Sequence, residues 1–217
     1  LATLGKISGG IGHELRNPLG AIKNAAYFLK MVFENPDDDV KETLDIIERE
    51  VTNSETIIGS LLDFARPKPP TRQKVHINEV IQAAISRLTI PNNVKIDTKL
   101  DSDIPIILAD PVQLTQVFMN LFLNGIQAMP SGGKLTITSK MPTKESILIT
   151  VSDSGVGIPK DNLEKLFEPL FTTKAKGIGL GLAICKTFID VHGGTIEAES
   201  VEGKGSIFKV NLPVPHI

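Results

Sequence analysis

Four stretches of this 217-residue chain hold residues whose types and spacing could do chemistry. In QVFMNLFLNGIQAM, Asn120 and Asn124 stand four residues apart and share one face of a helix. Side-chain amides are hard oxygen donors, and a magnesium ion takes one or two such protein oxygens beside phosphates and water. Either asparagine alone is more often a cap or a core pair. In SDSGVGIP, Asp153 closes an apolar strand, and Gly155 and Gly157 let the backbone that leads to Ile158 pass close to a ligand. In FEPLFTTKAKGIGLGLAICKTF, Gly177, Gly179 and Gly181 precede or open a helix whose unpaired amides are an anion site. That loop ends in no G-K-[ST] and follows no strand directly, which excludes a P-loop and a dinucleotide fingerprint. In GHELRNPLG, His13 lies about 200° round the helix from the apolar Ile11 and so faces outward beside Glu14. Pro18 removes the backbone bond to the Glu14 carbonyl, and a bend is expected there.

These stretches need elements to hold them. Leu4, Ile7, Ile11, Leu15, Ile22, Ala26, Leu29 and Phe33 follow helical three-and-four spacing, and the turn cluster from Glu34 to Asp39 ends that run. Val40, Leu44, Ile47, Val51, Ser54, Ile58, Leu61 and Ala65 form a second, heptad-like stripe. A lone hairpin buries two such stripes poorly, so a second copy completing a four-helix bundle is expected. Prolines and basic residues crowd ARPKPPTRQK, which reads as a hinge. The expected division is 1–66 helical hairpin, 67–74 hinge and 75–217 a second domain. In the second domain KVHI, VKIDTKL, IPIILAD, KLTITSKM, SILITVSD, GTIEAESV and GSIFKVNLP read as strands. Helices are expected from Asn78 as cap, from Pro111 to Met129 and from about Gly179 to Val191. This predicts a mixed sheet with helices on one face.

Composition narrows the function classes. The 23 basic and 25 acidic residues nearly cancel, which gives no reason to expect a nucleic-acid partner. The single cysteine, Cys185, excludes an internal disulfide and a cysteine-based zinc site, and fits a reducing compartment. No apolar run approaches the roughly 20 residues of a spanning helix, so no membrane contact by this fragment is expected, and a cytoplasmic location is. Leu1 falls within a helical pattern, as in a piece cut from a longer protein.

Taken together and in this order, the four stretches resemble the H, N, first-glycine, F and second-glycine boxes of the sensor histidine kinases of two-component systems. The resemblance covers nearly the whole chain, and QVFMNLFLNGIQAM, FEPLFTTK and ARPKPP are most similar to the nitrogen-regulator type. It implies a dimerisation and histidine-phosphotransfer hairpin followed by an α/β sandwich of the Bergerat fold, with ATP and Mg2+ as ligands. It implies a homodimer and, as partner, the receiver domain of a response regulator. By position, His13 resembles the phospho-acceptor, Glu14 the adjacent proton acceptor, and Asn17 the residue that orients water when the regulator is dephosphorylated. Asn120 and Asn124 match the magnesium-holding asparagines, and Asp153 the carboxylate that reads adenine's amine. Phe167, Phe171, Thr172 and Thr173 match the F box, with Lys174 placed toward phosphate. Gly177, Gly179, Leu180, Gly181 and Leu182 match the loop and helix start beside the phosphates. Gln127 stands where many relatives carry a phosphate-holding lysine, and only Ala175 and Lys176 are left for a lid, so weak, magnesium-dependent nucleotide binding is expected. His76, His192 and His216 show no ligand spacing and read as structural or surface. The alternatives are a Bergerat-fold ATPase, disfavoured because Asn120 replaces the water-activating glutamate, and a catalytically silent ATP-binding scaffold.

Overall fold

The computed structural model describes the backbone of residues 2–33, 36–65, 69–174 and 177–214, and the side chains of these except 2–13, 60 and 63–65. Two compact units, Leu1–Lys68 and Pro69–Ile217, divide the chain.

In the first unit, α1 (Ala2–Val32) pairs with α2 (Asp38–Ala65). The Asp37 carboxylate accepts the Val40 N–H at 2.8 Å, which satisfies one of the donors that a helix start leaves open. Asp38 and Asp39 add negative charge where the helix dipole favours it. Leu44, Val51 and Ile58 recur every seven residues along α2 and are buried, as is Ala26 on α1. At the rim Lys23 reaches Glu55, and Lys30 reaches both Asp45 and Glu48. These exposed pairs contribute little energy and mainly favour one register. Pro18 lies inside α1, and helical backbone continues on both sides of it.

The second unit runs β1 (Gln73–Val75), α3 (Ile77–Ser86), β2 (Val94–Leu100), β3 (Ile107–Ala109), α4 (Pro111–Gln127), β4 (Gly133–Thr143), β5 (Ser146–Asp153), α5 (Lys160–Leu163), α6 (Gly181–Val191), β6 (Thr195–Val201) and β7 (Gly205–Pro213). Five strands form a mixed sheet in the order β2-β4-β5-β7-β6, in which only β2 and β4 are parallel. Strict alternation along β5 turns Ile147, Ile149, Val151 and Asp153 to the buried face. Leu135 and Ile137 of β4 and Phe208, Val210 and Leu212 of β7 share that burial. Helix α4 packs on this sheet between α3 and α6, burying Leu114, Phe118, Leu121 and Phe122 completely. Helix α4 thus lies over β4 and β5 and comes against Asp153 at the end of β5.

Several expectations are corrected here. Asn78 is not the cap of α3: His76 holds that position without a side-chain bond. Asn78 instead donates to the Asp101 carbonyl and accepts from the Ser139 hydroxyl, tying α3 to the end of β2 and the middle of β4. The strand read through Asp110 stops at Ala109, because Asp110 caps α4 by accepting from the Val112 and Gln113 amides. Helix α4 ends at Gln127, two residues before Met129. β3 pairs with β1 in a separate two-stranded ribbon rather than joining the main sheet. The C-terminal part of the expected hinge is held in the second unit. Thr71 N–H donates to Asp110 at 2.8 Å, Arg72 to the Val191 carbonyl at 2.9 Å, and Gln73 and Lys74 lie in β1. Among the described residues no helix is long and apolar enough to cross a membrane.

Candidate nucleotide site

The site is built along one side of α4, and a missing side chain makes it possible. Gly125 sits where α4 presses on β4 and β5: a Cβ there would lie 2.6 Å from Leu135 Cδ1 and 3.4 Å from Asp153 Cβ. The glycine lets the helix close down on β4 and on Asp153 at the end of β5. Sequence reasoning assigned Gly125 no role, although a lone glycine inside an apolar helical run is itself a sign of close packing.

Asp153 is 7% exposed. Burial pushes its carboxyl above the usual carboxylate range, while bonds from the Gly155 amide (2.9 Å to Oδ1) and from Ser206 oppose that push. The loop beyond it docks on the end of α4 through Val156 N–H to the Ala128 carbonyl at 3.0 Å. Ile158 N–H then donates to the Ser200 hydroxyl at 2.8 Å, past Gly157 at φ +71°. Asp153, Gly155, Gly157 and Ile158 thus form one wall anchored to α4 on one side and to β6 on the other.

Asn120 donates through Nδ2 to the Gly181 carbonyl at 3.3 Å, at the first residue of α6. With its nitrogen so engaged, its Oδ1 is the atom available to a cation. Asn124 Oδ1 already accepts from a cation, the Lys174 ammonium, at 2.7 Å, and that ammonium also donates to Gln127 Oε1. Although Lys174 as a residue is exposed, its ammonium loses water at this spot, which pushes its pKa down. A hard, cation-seeking oxygen pair on α4 is what a magnesium ion held with phosphates requires, so these residues fit that ion.

The F-box stretch and the second glycine loop brace each other. Leu170 N–H donates to the Gly179 carbonyl at 3.0 Å, and a Cβ on Gly179 (φ +73°) would meet the backbone of Leu170 and Phe171 at 2.5 Å. Leu170 itself holds φ +66°, a conformation a branched residue adopts only under constraint. Thr172 Oγ1 accepts the Lys174 N–H, and Gly177 N–H donates to the Lys174 carbonyl. Helix α6 then starts at Gly181 behind Leu180, which has no capping side chain, so the first amides up to Leu182 remain open to an anion. Phe167 and Phe171 are half-buried behind this loop, and Thr173 is exposed.

Cys185, below Asn120, is fully buried with its thiol pushed up to about 12 by desolvation, and is inert packing. His192 is buried too: Nε2 accepts the Asp110 N–H at 2.9 Å, so Nδ1 carries the proton and donates to the Phe188 carbonyl at 2.6 Å. His76 is half-buried with no bond to Nδ1. Glu14 and Asn17 are exposed on α1. The side chain of His13, the lid residues Ala175 and Lys176, and His216 lie outside the described residues.

Comparison with known proteins shows the family of the chain. Residues 3–70 match the family described as the His Kinase A (phospho-acceptor) domain, and residues 109–216 match the histidine kinase-, DNA gyrase B- and HSP90-like ATPases. The chain is 37% identical over 218 residues to the sensor histidine kinase ZraS of Salmonella typhi, covering 99% of itself and 46% of that protein's length. It is 34% identical to the catalytic domain of the histidine kinase ThkA, covering 65% of itself and 95% of that chain at a TM-score of 0.56. A complex of ThkA with the response regulator TrrA matches over 98% of this chain and 62% of that one, at 30% identity and a TM-score of 0.66. ShkA, solved full-length with AMPPNP, shares the fold at a TM-score of 0.85 and 21% identity, over 97% of this chain and 46% of that one.

Proposed function

The chain belongs to the sensor histidine kinases, with a phospho-acceptor hairpin followed by a Bergerat-fold domain, and from that premise we propose that it phosphorylates its own His13 from ATP and passes the phosphoryl group to an aspartate of a response regulator. The observations that carry this reading are three contacts of α4: Gly125 closes on Asp153, Asn120 bonds the Gly181 carbonyl at the open start of α6, and Asn124 accepts from the Lys174 ammonium. Asp153 accepts the adenine amine. Asn120 and Asn124 hold a magnesium ion, which when bound neutralises phosphate charge. The amides at the start of α6 receive the phosphates.

Neutral His13 supplies the nucleophile, since a doubly protonated imidazole has no lone pair to give. The nitrogen–phosphorus bond forms as the bond from the γ-phosphorus to the bridging oxygen breaks, and ADP leaves. Glu14 takes the proton from the other ring nitrogen. Positioning and charge neutralisation suffice for this transfer. Asn17, one helical turn beyond His13 and exposed, orients the water that hydrolyses the phosphorylated regulator. The chain acts as a homodimer. Leu15, Ile22 and Leu29, seven residues apart on α1, stay 44%, 47% and 41% exposed after α1 pairs with α2, a stripe that a second hairpin would cover. Its need for ATP places this part of the protein in the cytoplasm.

Labelling with γ-labelled ATP tests the assignment. His13→Gln should abolish labelling and leave ATP affinity intact, and Asn17→Ala should keep labelling but lose dephosphorylation of the regulator. Label persisting in His13→Gln would contradict the acceptor assignment.

A further inference from the structure

Among the described residues no carboxylate pairs with the Lys174 ammonium. Both acceptors at its ammonium, Asn124 Oδ1 and Gln127 Oε1, are neutral amide oxygens one turn apart on α4. Two dipoles orient an ammonium without cancelling its charge, so the spot keeps a net positive charge. The lysine comes from the F-box stretch, 47 residues further along the chain from Gln127, and its backbone is fixed by Thr172 Oγ1 on one side and the Gly177 amide on the other. Of its two anchors, Asn124 is also the oxygen assigned to a metal ion, and two cations repel at one oxygen. Gln127 has no second duty.

We propose that Gln127 is a positioning residue that holds the Lys174 ammonium at the phosphate end of the nucleotide site, so that a glutamine on α4 and a lysine from the F-box stretch together supply one phosphate-facing cation. This rests on reading the site as a nucleotide site. The contact is made across two elements, so it also ties the F-box stretch to α4 before nucleotide arrives. A glutamine at this helix position is therefore half of a two-residue device.

An exchange of the two residues tests the proposal. ATP affinity in the presence of magnesium is measured by calorimetry on the 217-residue chain for wild type, Gln127→Leu, Lys174→Gln, the Gln127→Leu/Lys174→Gln pair, and the exchanged Gln127→Lys/Lys174→Gln protein, with melting curves to confirm folding. Loss of a charge-assisted contact should weaken ATP about tenfold in each single variant. The Gln127→Leu/Lys174→Gln pair should be no weaker than Lys174→Gln alone, because both changes remove one device. The exchanged protein should recover to within about threefold of wild type, the cation now sitting on the helix itself. Wild-type affinity in folded Gln127→Leu, or an exchanged protein no better than Lys174→Gln, would overturn the proposal and leave the nucleotide site standing. Wild type that binds no ATP would overturn both.

Discussion

In the proposed function Asp153 serves binding at the expense of folding. Its pKa is raised because burial penalises the charge, so the ionised carboxylate opposes the folded state at every pH above that raised value, and the opposition fades as pH falls through it. Asp153→Asn should therefore leave thermal stability at neutral pH unchanged or higher, while ATP binding is lost. A fall in melting temperature with ATP binding retained would make Asp153 a structural residue. An ionised carboxylate only accepts, so it takes adenine's amine and repels the carbonyl that guanine offers at the same place. The clash should cost about 2–4 kcal/mol, or roughly one and a half to three decades of preference for ATP over GTP. ATP binding favours the ionised form. Affinity should therefore hold at neutral pH and fall as pH drops through the raised value, beginning above the ordinary carboxylate range. Titrations with ATP and GTP across pH measure both effects. The carboxylate was legible in the sequence because period-2 alternation along β5 puts Asp153 in phase with Ile147, Ile149 and Val151, on the face turned inward. Ser206 was not, because nothing local announces that β7 places it opposite Asp153.

Helix α4 is the element on which the site depends, and it is fixed at both ends. At its start Asp110 caps the helix, accepts the Thr71 amide from the incoming chain, and gives its own N–H to His192 at the end of α6. His192→Leu fills nearly the same volume but strands the buried Asp110 N–H, which should cost about 1–3 kcal/mol in chemical denaturation. Near its other end Gly125 lets α4 approach Asp153. Gly125→Ala should displace either Leu135 or the helix, lowering stability by about 1–3 kcal/mol and weakening ATP binding at the same time. Unchanged affinity in that variant would mean that the close approach does not position the asparagines. The extent of α4 was readable from Pro111 and the apolar period, whereas the role of His192 was not, since both its bonds run to backbone atoms of distant elements. Asn78 misled for a related reason: an asparagine at a helix start usually caps it, but here the amide is taken by β2 and β4.

Across the molecule, the heptad of α2 announced the hairpin, and the large side chains that hairpin leaves uncovered call for a second copy. Ile22→Glu should release monomers on light scattering, because burying an unpaired charge costs several kcal/mol. A dimer that survives this change would move the interface elsewhere. The alternating patterns gave the mixed sheet and its helical cover, but not the separate β1–β3 ribbon, since three-residue strands carry too little period to be placed. The central claim joins the two units in one reaction: a histidine of the hairpin receives the phosphoryl group bound by the second unit. The most direct measurement is mass spectrometry, kept at neutral pH, of the chain incubated with ATP and magnesium. The account predicts one phosphoryl group per chain, mapped to His13 and lost on brief acid treatment. Phosphate released to water with no modified chain, or an acid-stable phosphoryl group on another residue, would contradict it.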